Sequence, residues 1–456
     1  MFERLISVIR GSILGTQASD AADDGKDVTA PCQHAPAASA TPARDDAGTG
    51  FLCRELVVGR DQRVAGYRFV LREGTRNRIR TGDRRIHHVY AEILVRDIAQ
   101  ANIGRLLGHR AAFLDIPDSF VGHPSLLGLP AANTVLILTR IAAEGAPDNG
   151  TLLEGVRRLR SAGYRVGVAA EELLGDRADL LPEADFYTAQ AAAANPTHLR
   201  AAVSRLKAAG GHGLLLVSDL PSADDFQLCL SLGAALFQGP FITRREDWSG
   251  NRLAPNSARL SALIARLRSD ADTGELVALL KQDAALSLRL MRYINSPGVG
   301  LQREVASIDA ALLQLGRERL YRWLLLLLYG ADKGTPRSSA AMENALVRAR
   351  LMELLGEGRP QRERDSLYLT GLLSLVDVIL EVPLHDAIRS LGVAPDIEEA
   401  VVHGTGPLAD LLRLAVACEN GDEDGVQAAA ACCGIAPTEA NRRHLQAFSW
   451  ALEING

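Results

Sequence analysis

The sequence predicts a TIM-like α/β barrel whose first hairpin is antiparallel, followed by an all-α domain. Eight strand-like runs fall within about 190 residues and mostly alternate with helical patterns, as a barrel of strand and helix units requires. The later runs are continuously apolar, which fits a parallel sheet covered on both faces. After Asn251 no strand pattern survives and helical periodicity takes over.

Taken in order, Met1 to Gly15 places Phe2, Leu5, Ile6, Ile9 and Ile13 at helical spacing, a short amphipathic helix. Thr16 to Gly50 holds Ala, Asp, Pro, Thr and Gly with almost no large apolar residue, so it cannot repay the entropy of ordering and is expected to be a disordered linker. Strands are expected at Leu52 to Val57, Val64 to Leu71, Ala111 to Ile116, Thr134 to Thr139, Tyr164 to Ala169, Ala184 to Thr188, Gly213 to Val217 and Ala235 to Gln238. Helical patterns separate most of them, at His88 to Leu107, Leu152 to Ala162, Pro196 to Ala209 and Ala223 to Leu232. The barrel domain is thus expected at 51–250 and the helical domain at 256–456. Within the latter, helices are expected at Ser257 to Ser269, Thr273 to Asp283, Ala285 to Asn295, Ile308 to Gly316, Arg319 to Leu328, Ser338 to Leu355 and Asp365 to Leu380. Gly298, Gly300, Gly334 and Pro383 punctuate them.

A chain of 456 residues with 47% hydrophobic and 23% charged residues is composed like a globular protein of two or three domains. Its formal net charge of −5 supplies no global field for a nucleic-acid backbone, so no nucleic-acid partner is expected. Of 50 basic residues only Lys26, Lys207, Lys281 and Lys333 are lysines, a skew that reads as genome composition. Six scattered cysteines, Cys32, Cys53, Cys229, Cys418, Cys432 and Cys433, form no CxxC pair, which points to free thiols in a reducing cytoplasm. No apolar run reaches the roughly twenty residues of a membrane span. A cytoplasmic protein is expected.

The string Leu236-Phe-Gln-Gly-Pro-Phe241, after Leu215-Leu-Val-Ser-Asp219 and Asp224-Asp-Phe226, resembles the end of an EAL domain, the barrel that hydrolyses cyclic di-GMP. The second half resembles an HDOD domain through Asp283-Ala-Ala-Leu-Ser287, Tyr293-Ile-Asn-Ser-Pro297, Ser307-Ile308, Leu315-Gly316 and Trp323. Tyr368-Leu-Thr-Gly-Leu-Leu-Ser-Leu-Val-Asp377 and Val382-Pro-Leu384 are similar to the bacterial signal-transduction proteins that fuse the two. The resemblance covers Phe51 to the C-terminus.

Hydrolysis of the EAL kind needs divalent metals held by carboxylates and an Asn, which create hydroxide and clamp the phosphodiester. The resemblance places Arg68 where the signature Glu belongs, Asp115 at the Asn, and Ile137 and Arg140 at the acidic positions of the next strand. The paired aspartates fall at Ala169 and Ala170, the catalytic Lys at Thr188, its companion acid at Gln190, and the late Glu pair at Ser218 and Pro221. Glu171 and Glu172 restore a carboxylate only under a two-residue shift of register. The expectation is a degenerate barrel that is not an enzyme, with no catalytic residues, no metal and no cofactor. Arg72, at a phosphate-contacting position, and Gln238, in the closing motif, remain as nucleotide contacts, because arginine can fork onto phosphate without a metal.

The helical half resembles HD hydrolases in fold, yet Ser374 and Leu375 stand where the metal-binding His-Asp pair would be. His385 and His403 are isolated, and Asp283, Asn295, Ser296 and Ser307 suit helix caps and a polar brace. The resemblance therefore implies a signalling adaptor in cyclic di-GMP-linked control of motility or surface behaviour, with a protein partner reached through the HDOD domain. A catalytically dead receptor for cyclic di-GMP or a related nucleotide is the alternative. Phe241, Trp248 and Trp450 are the candidate partner anchors, with packing between the two domains as the other reading of Trp248.

Overall fold

The computed structural model describes residues 51–72, 84–100, 107–141, 146–191, 196–269, 271–295, 305–329 and 336–455. The expected helix at 1–15 and linker at 16–50 lie outside them. Eight strands close a barrel in sequence order: β1 (Phe51–Gly59), β2 (Val64–Arg72), β3 (Ala111–Pro117), β4 (Thr134–Thr139), β5 (Arg165–Ala169), β6 (Phe186–Gln190), β7 (Leu214–Ser218) and β8 (Leu236–Gln238). β1 runs antiparallel to both β2 and β8, and every other pairing is parallel. Helices α1 (Arg84–Gln100), α2 (Asn149–Ser161), α3 (Pro196–Ala208) and α4 (Ala223–Ser231) surround it.

The apolar strand runs divide by alternation into two cores. Val57, Ala111, Phe113, Val135, Ile137, Phe186 and Leu216 fill the lumen, and Leu56, Tyr67, Phe69, Leu114, Leu136 and Val217 face the outer layer. At about 25 cal/mol per Å² of apolar surface removed from water, each Val, Leu, Ile or Phe among them contributes about 1.5–3 kcal/mol.

The helical domain begins with α5 (Pro255–Arg268), α6 (Thr273–Gln282) and α7 (Ala284–Ile294), followed by α8 (Ile308–Tyr329) and α9 (Pro336–Leu355). Asp283 caps α7 through the Leu286 N–H at 2.9 Å, and the Asn295 amide braces both the N–H and the carbonyl of Val305. Ser307 accepts from the Ala310 N–H; Ser296 lies outside the described residues. The two helices expected at 308–316 and 319–328 form one element broken at Gly316, whose φ of 70° no helix interior tolerates. Leu324 to Leu328 is buried all round. α10 (Gln361–Leu373) and α11 (Val376–Leu380) split the expected 365–380 helix at Ser374 and Leu375. α10 lies tightly against α9, because a Cβ on Gly371 would sit 2.6 Å from the Ala349 backbone. α12 (Leu384–Leu391), short segments at Pro395–Glu398 and Glu399–His403, then α13 (Pro407–Asn420), α14 (Glu423–Cys433) and α15 (Pro437–Asn455) complete the chain.

The two halves share a sealed flank. The outer face of β1 and β2 carries Arg54, Tyr67 and Phe69, and α15 covers it with Phe448. Arg337, near the start of α9, clamps the segment after β8 through the Glu246 carboxylate at 2.7 Å and the Arg244 carbonyl at 2.7 Å. Among the described residues no helix is long and apolar enough to cross a membrane.

Candidate functional site

Chemistry on a barrel of this kind belongs at the carboxyl ends of the parallel strands. β2 delivers Arg68 there by alternation, between two outward aromatic neighbours, Tyr67 and Phe69. The adjacent strand β3 delivers Asp115. The two form a fork: Nε to Oδ1 at 3.0 Å and Nη2 to Oδ2 at 2.6 Å. Arg68 and Asp115 keep 15% and 23% of their side-chain surface open, so the pair sits at the water boundary. Burial works to lower the affinity of Arg68 for its proton, but Asp115, then Glu55 and Asp219, more than offset it and hold the guanidinium charged. Both oxygens of Asp115 are therefore turned to a cation that is part of the chain.

The remaining positions are poor in acids. Ile137 is buried, and Ala169 pairs in register with Thr188 at the ends of β5 and β6. Gln190 is exposed, and the buried Ser218 hydroxyl donates to the Ala189 carbonyl. Glu171 and Glu172 lie beyond β5, which ends at Ala169, in a single helical turn, Ala170–Leu173. Glu172 there accepts from Arg177 at 2.7 Å, and Glu171 is exposed. Arg140 pairs with Asp176 at the surface. Among the described residues no group of three or more His, Cys, Asp or Glu could hold a metal ion.

Of the two nucleotide-contact candidates, Gln238 is buried with Oε1 accepting from the Asp219 N–H at 3.0 Å. Arg72 ends β2, and its side chain lies outside the described residues. Glu55 and Asp219 were not singled out from sequence, although both face Arg68. Alternation along β1, with Val57 inside, places Glu55 inside as well. Asp219 entered only as the last residue of the Leu215–Asp219 string, with no role attached; its φ of 60° is a conformation that Asp tolerates better than most residues.

The outward face of the same strand has the opposite character. The Tyr67 hydroxyl donates to Glu343 of α9, and Arg110 reaches both, at 2.5 Å to the hydroxyl and 3.2 Å to the carboxylate. Burial first, then the Glu343 charge, raises the Tyr67 phenol well above its usual range, so it stays a donor. Arg54 donates to the Asn344 amide at 2.6 Å and lays its guanidinium 4.7 Å from the Phe448 ring centre. Its Nε and Nη1, and both ring nitrogens of buried His444, have no hydrogen-bond partner. Burial, aided by Arg54, pushes His444 down to about 3.

In the helical half, Ser374 sits where a metal-binding pair was sought. Its hydroxyl accepts from Arg348 at 3.1 Å and donates to the Gly371 carbonyl. His385 and His403 are both exposed. The expectation of an exposed anchor at Phe241 is corrected, since it is buried and stacked on Phe226 at 5.2 Å; Trp248 is only 9% exposed, in line with the packing reading and not with the anchor. Trp450 is half-buried with Arg350 over its ring. On the helical domain the exposed large apolar residues among those described are Leu288 and Leu313.

Comparison with known proteins agrees with this architecture. The HDOD domain family matches residues 255–391. Over 433 residues the chain is 22% identical to the cyclic di-GMP phosphodiesterase CdgJ of Vibrio cholerae serotype O1, spanning 93% of this chain and 98% of that one. It is 21% identical to the uncharacterized protein YuxH of Bacillus subtilis, spanning 82% and 91%. An EAL domain protein of Listeria monocytogenes matches at 12% identity with a TM-score of 0.32, over 42% of this chain and 87% of that one. The chain is thus an eight-stranded barrel followed by a helical region that matches the HDOD domain family over residues 255–391.

Proposed function

We propose that this protein is a non-catalytic adaptor in cyclic di-GMP-linked signalling, in which the barrel is a scaffold and the HDOD domain carries the protein partner's surface. Control of motility or surface behaviour is the output that this organisation suggests. The observation that carries the reading is the Arg68–Asp115 fork at the barrel mouth. Hydrolysis of a phosphodiester at neutral pH needs a Lewis acid or a lowered-pKa water, and a general acid for the leaving oxygen. In this reading Arg68 stands where a metal ligand would be, and its guanidinium takes the Asp115 carboxylate. Ala169, Thr188 and Ser218 supply no base around it. The phosphodiesterase named among the relatives supports the signalling context.

The alternative is a receptor that binds a cyclic dinucleotide without cleaving it. One observation favours it: Arg68, while paired, keeps part of its surface open to the mouth, and a guanidinium can share its N–H groups with phosphate.

Incubation of the full chain with cyclic di-GMP and Mg²⁺ or Mn²⁺ tests the main reading, with calorimetric titration of the same nucleotide. The adaptor reading expects no linear dinucleotide and no micromolar binding. Micromolar binding without product supports the receptor, and product formed at a rate proportional to protein overturns both.

A further inference from the structure

A cleft of about 700 Å³ opens on the seam between the two halves. Thr243 and Arg245, from the segment after β8, form one side, and the junction of α10 and α11, the Glu399–His403 turn, α13 and α14 form the rest. The volume falls within the range of small-molecule sites, which favour domain boundaries. Leu375 and Val401 give it a buried apolar floor, and the half-buried Leu412 and Val416 turn apolar surface into it.

Five charged groups line the cleft: Arg245, Arg348, Arg413, Asp410 and Asp422. Both carboxylates are already engaged, Asp410 by Arg413 and Asp422 by the Gly425 N–H that begins α14. Arg348 is held inside the wall by Glu419 and Ser374. Arg245 binds Asp377 through Nε at 2.8 Å and the Ser374 carbonyl through Nη2, which leaves Nη1. Arg413 gives Nη1 to the Gly404 carbonyl and Nη2 to Asp410, and a guanidinium has five N–H donors in all. What remains open to a guest is apolar wall and cationic donor.

We propose that this seam cleft binds a small amphipathic anion, an apolar body carrying one carboxylate, sulfonate or phosphate directed at Arg245 and Arg413. The site is built by both halves. Arg348 in its wall is tied by Glu419 to Asn344, and Asn344 to Arg54 of β1, so the cleft is joined by hydrogen bonds to the sealed flank. This inference is independent of whether the barrel mouth binds a nucleotide.

Two fluorescent probes with nearly the same apolar body separate its parts: anilinonaphthalene sulfonate, an anion, and N-phenylnaphthylamine, which is neutral. The full chain should bind the anion saturably and about tenfold more tightly than the neutral probe, the worth of one charge-assisted contact. Ala428→Trp places a large ring at the exposed rim and should abolish binding of both. Arg413→Gln, in a surface pair, should remove most of the preference for the anion and leave the neutral probe unchanged. Both positions are exposed, so thermal melts should match the native chain. Equal affinity for the two probes overturns the anion assignment, and binding that is unsaturable or unaffected by Ala428→Trp overturns the site.

Discussion

β2 shows two surfaces of this molecule on one strand, and they differ in what holds them. Inward, Arg68 meets Asp115 at an open mouth where the pair is partly hydrated. Outward, Tyr67 and Phe69 are fully covered by Phe448, Glu343 and Arg110, with aromatic rings and a buried carboxylate locked together. Water at the mouth screens the inner pair, whereas the outer cluster loses its packing and its hydrogen bonds together when one member is removed. The sites most sensitive to substitution should therefore lie where the barrel meets the helical domain, not where a barrel enzyme keeps its chemistry.

That contrast can be broken or sharpened in order of expected effect. Phe448→Ala should cost about 3–5 kcal/mol, because it removes the ring that covers both Tyr67 and Phe69. Calorimetry should then resolve the barrel and the helical domain as separate transitions; a single unshifted melt would show that the flank does not hold the halves together. Glu343→Gln should cost about 1.5–3 kcal/mol, since the Tyr67 and Arg110 donors lose a charged acceptor. A double-mutant cycle with Tyr67→Phe should give a coupling energy above 0.5 kcal/mol, and additivity would place the two in separate networks.

Acidification probes the same flank. His444 ordinarily titrates near 6.5, and the fold holds it at about 3, so between those values the unfolded chain binds the extra proton. Stability should fall as pH drops through that window, by up to about 1.4 kcal/mol per unit, and the contribution should be level above it. Denaturant melts at pH 7 and pH 5 should lose about 2 kcal/mol more for the native chain than for His444→Leu. Equal losses would mean that His444 is already solvated. The smallest effect is expected at the mouth, where Asp115→Ala should cost about 1 kcal/mol or less, and less still in high salt.

The barrel was legible because its signals are local. Period-two alternation and apolar runs place all eight strands within two residues of where they lie, and the same alternation puts Arg68 and Asp115 on the inner face. The helix break at Gly316 was legible, since the helices expected at 308–316 and 319–328 part there, whereas the split at Ser374 was missed because periodicity continues across it. The flank was not legible. Tyr67 and Phe69 read as core from their spacing, but nothing local tells that their cover is Phe448, nearly four hundred residues away in sequence. Likewise Phe241 was a credible surface anchor by residue type, and only its packing on Phe226 shows it enclosed, whereas for Trp248 burial was one of the two readings the sequence left open.

The central proposal is that the barrel mouth holds no metal-based centre because the Arg68 guanidinium takes the Asp115 carboxylate there. Manganese titration of the full chain, read by the electron paramagnetic resonance signal of free Mn²⁺, tests it without reliance on any substrate. The account predicts that the free-ion signal rises in proportion to added Mn²⁺ from the first addition, for the native chain and for Asp115→Ala alike. Stoichiometric capture of Mn²⁺ by the native chain, lost in Asp115→Ala, would contradict it.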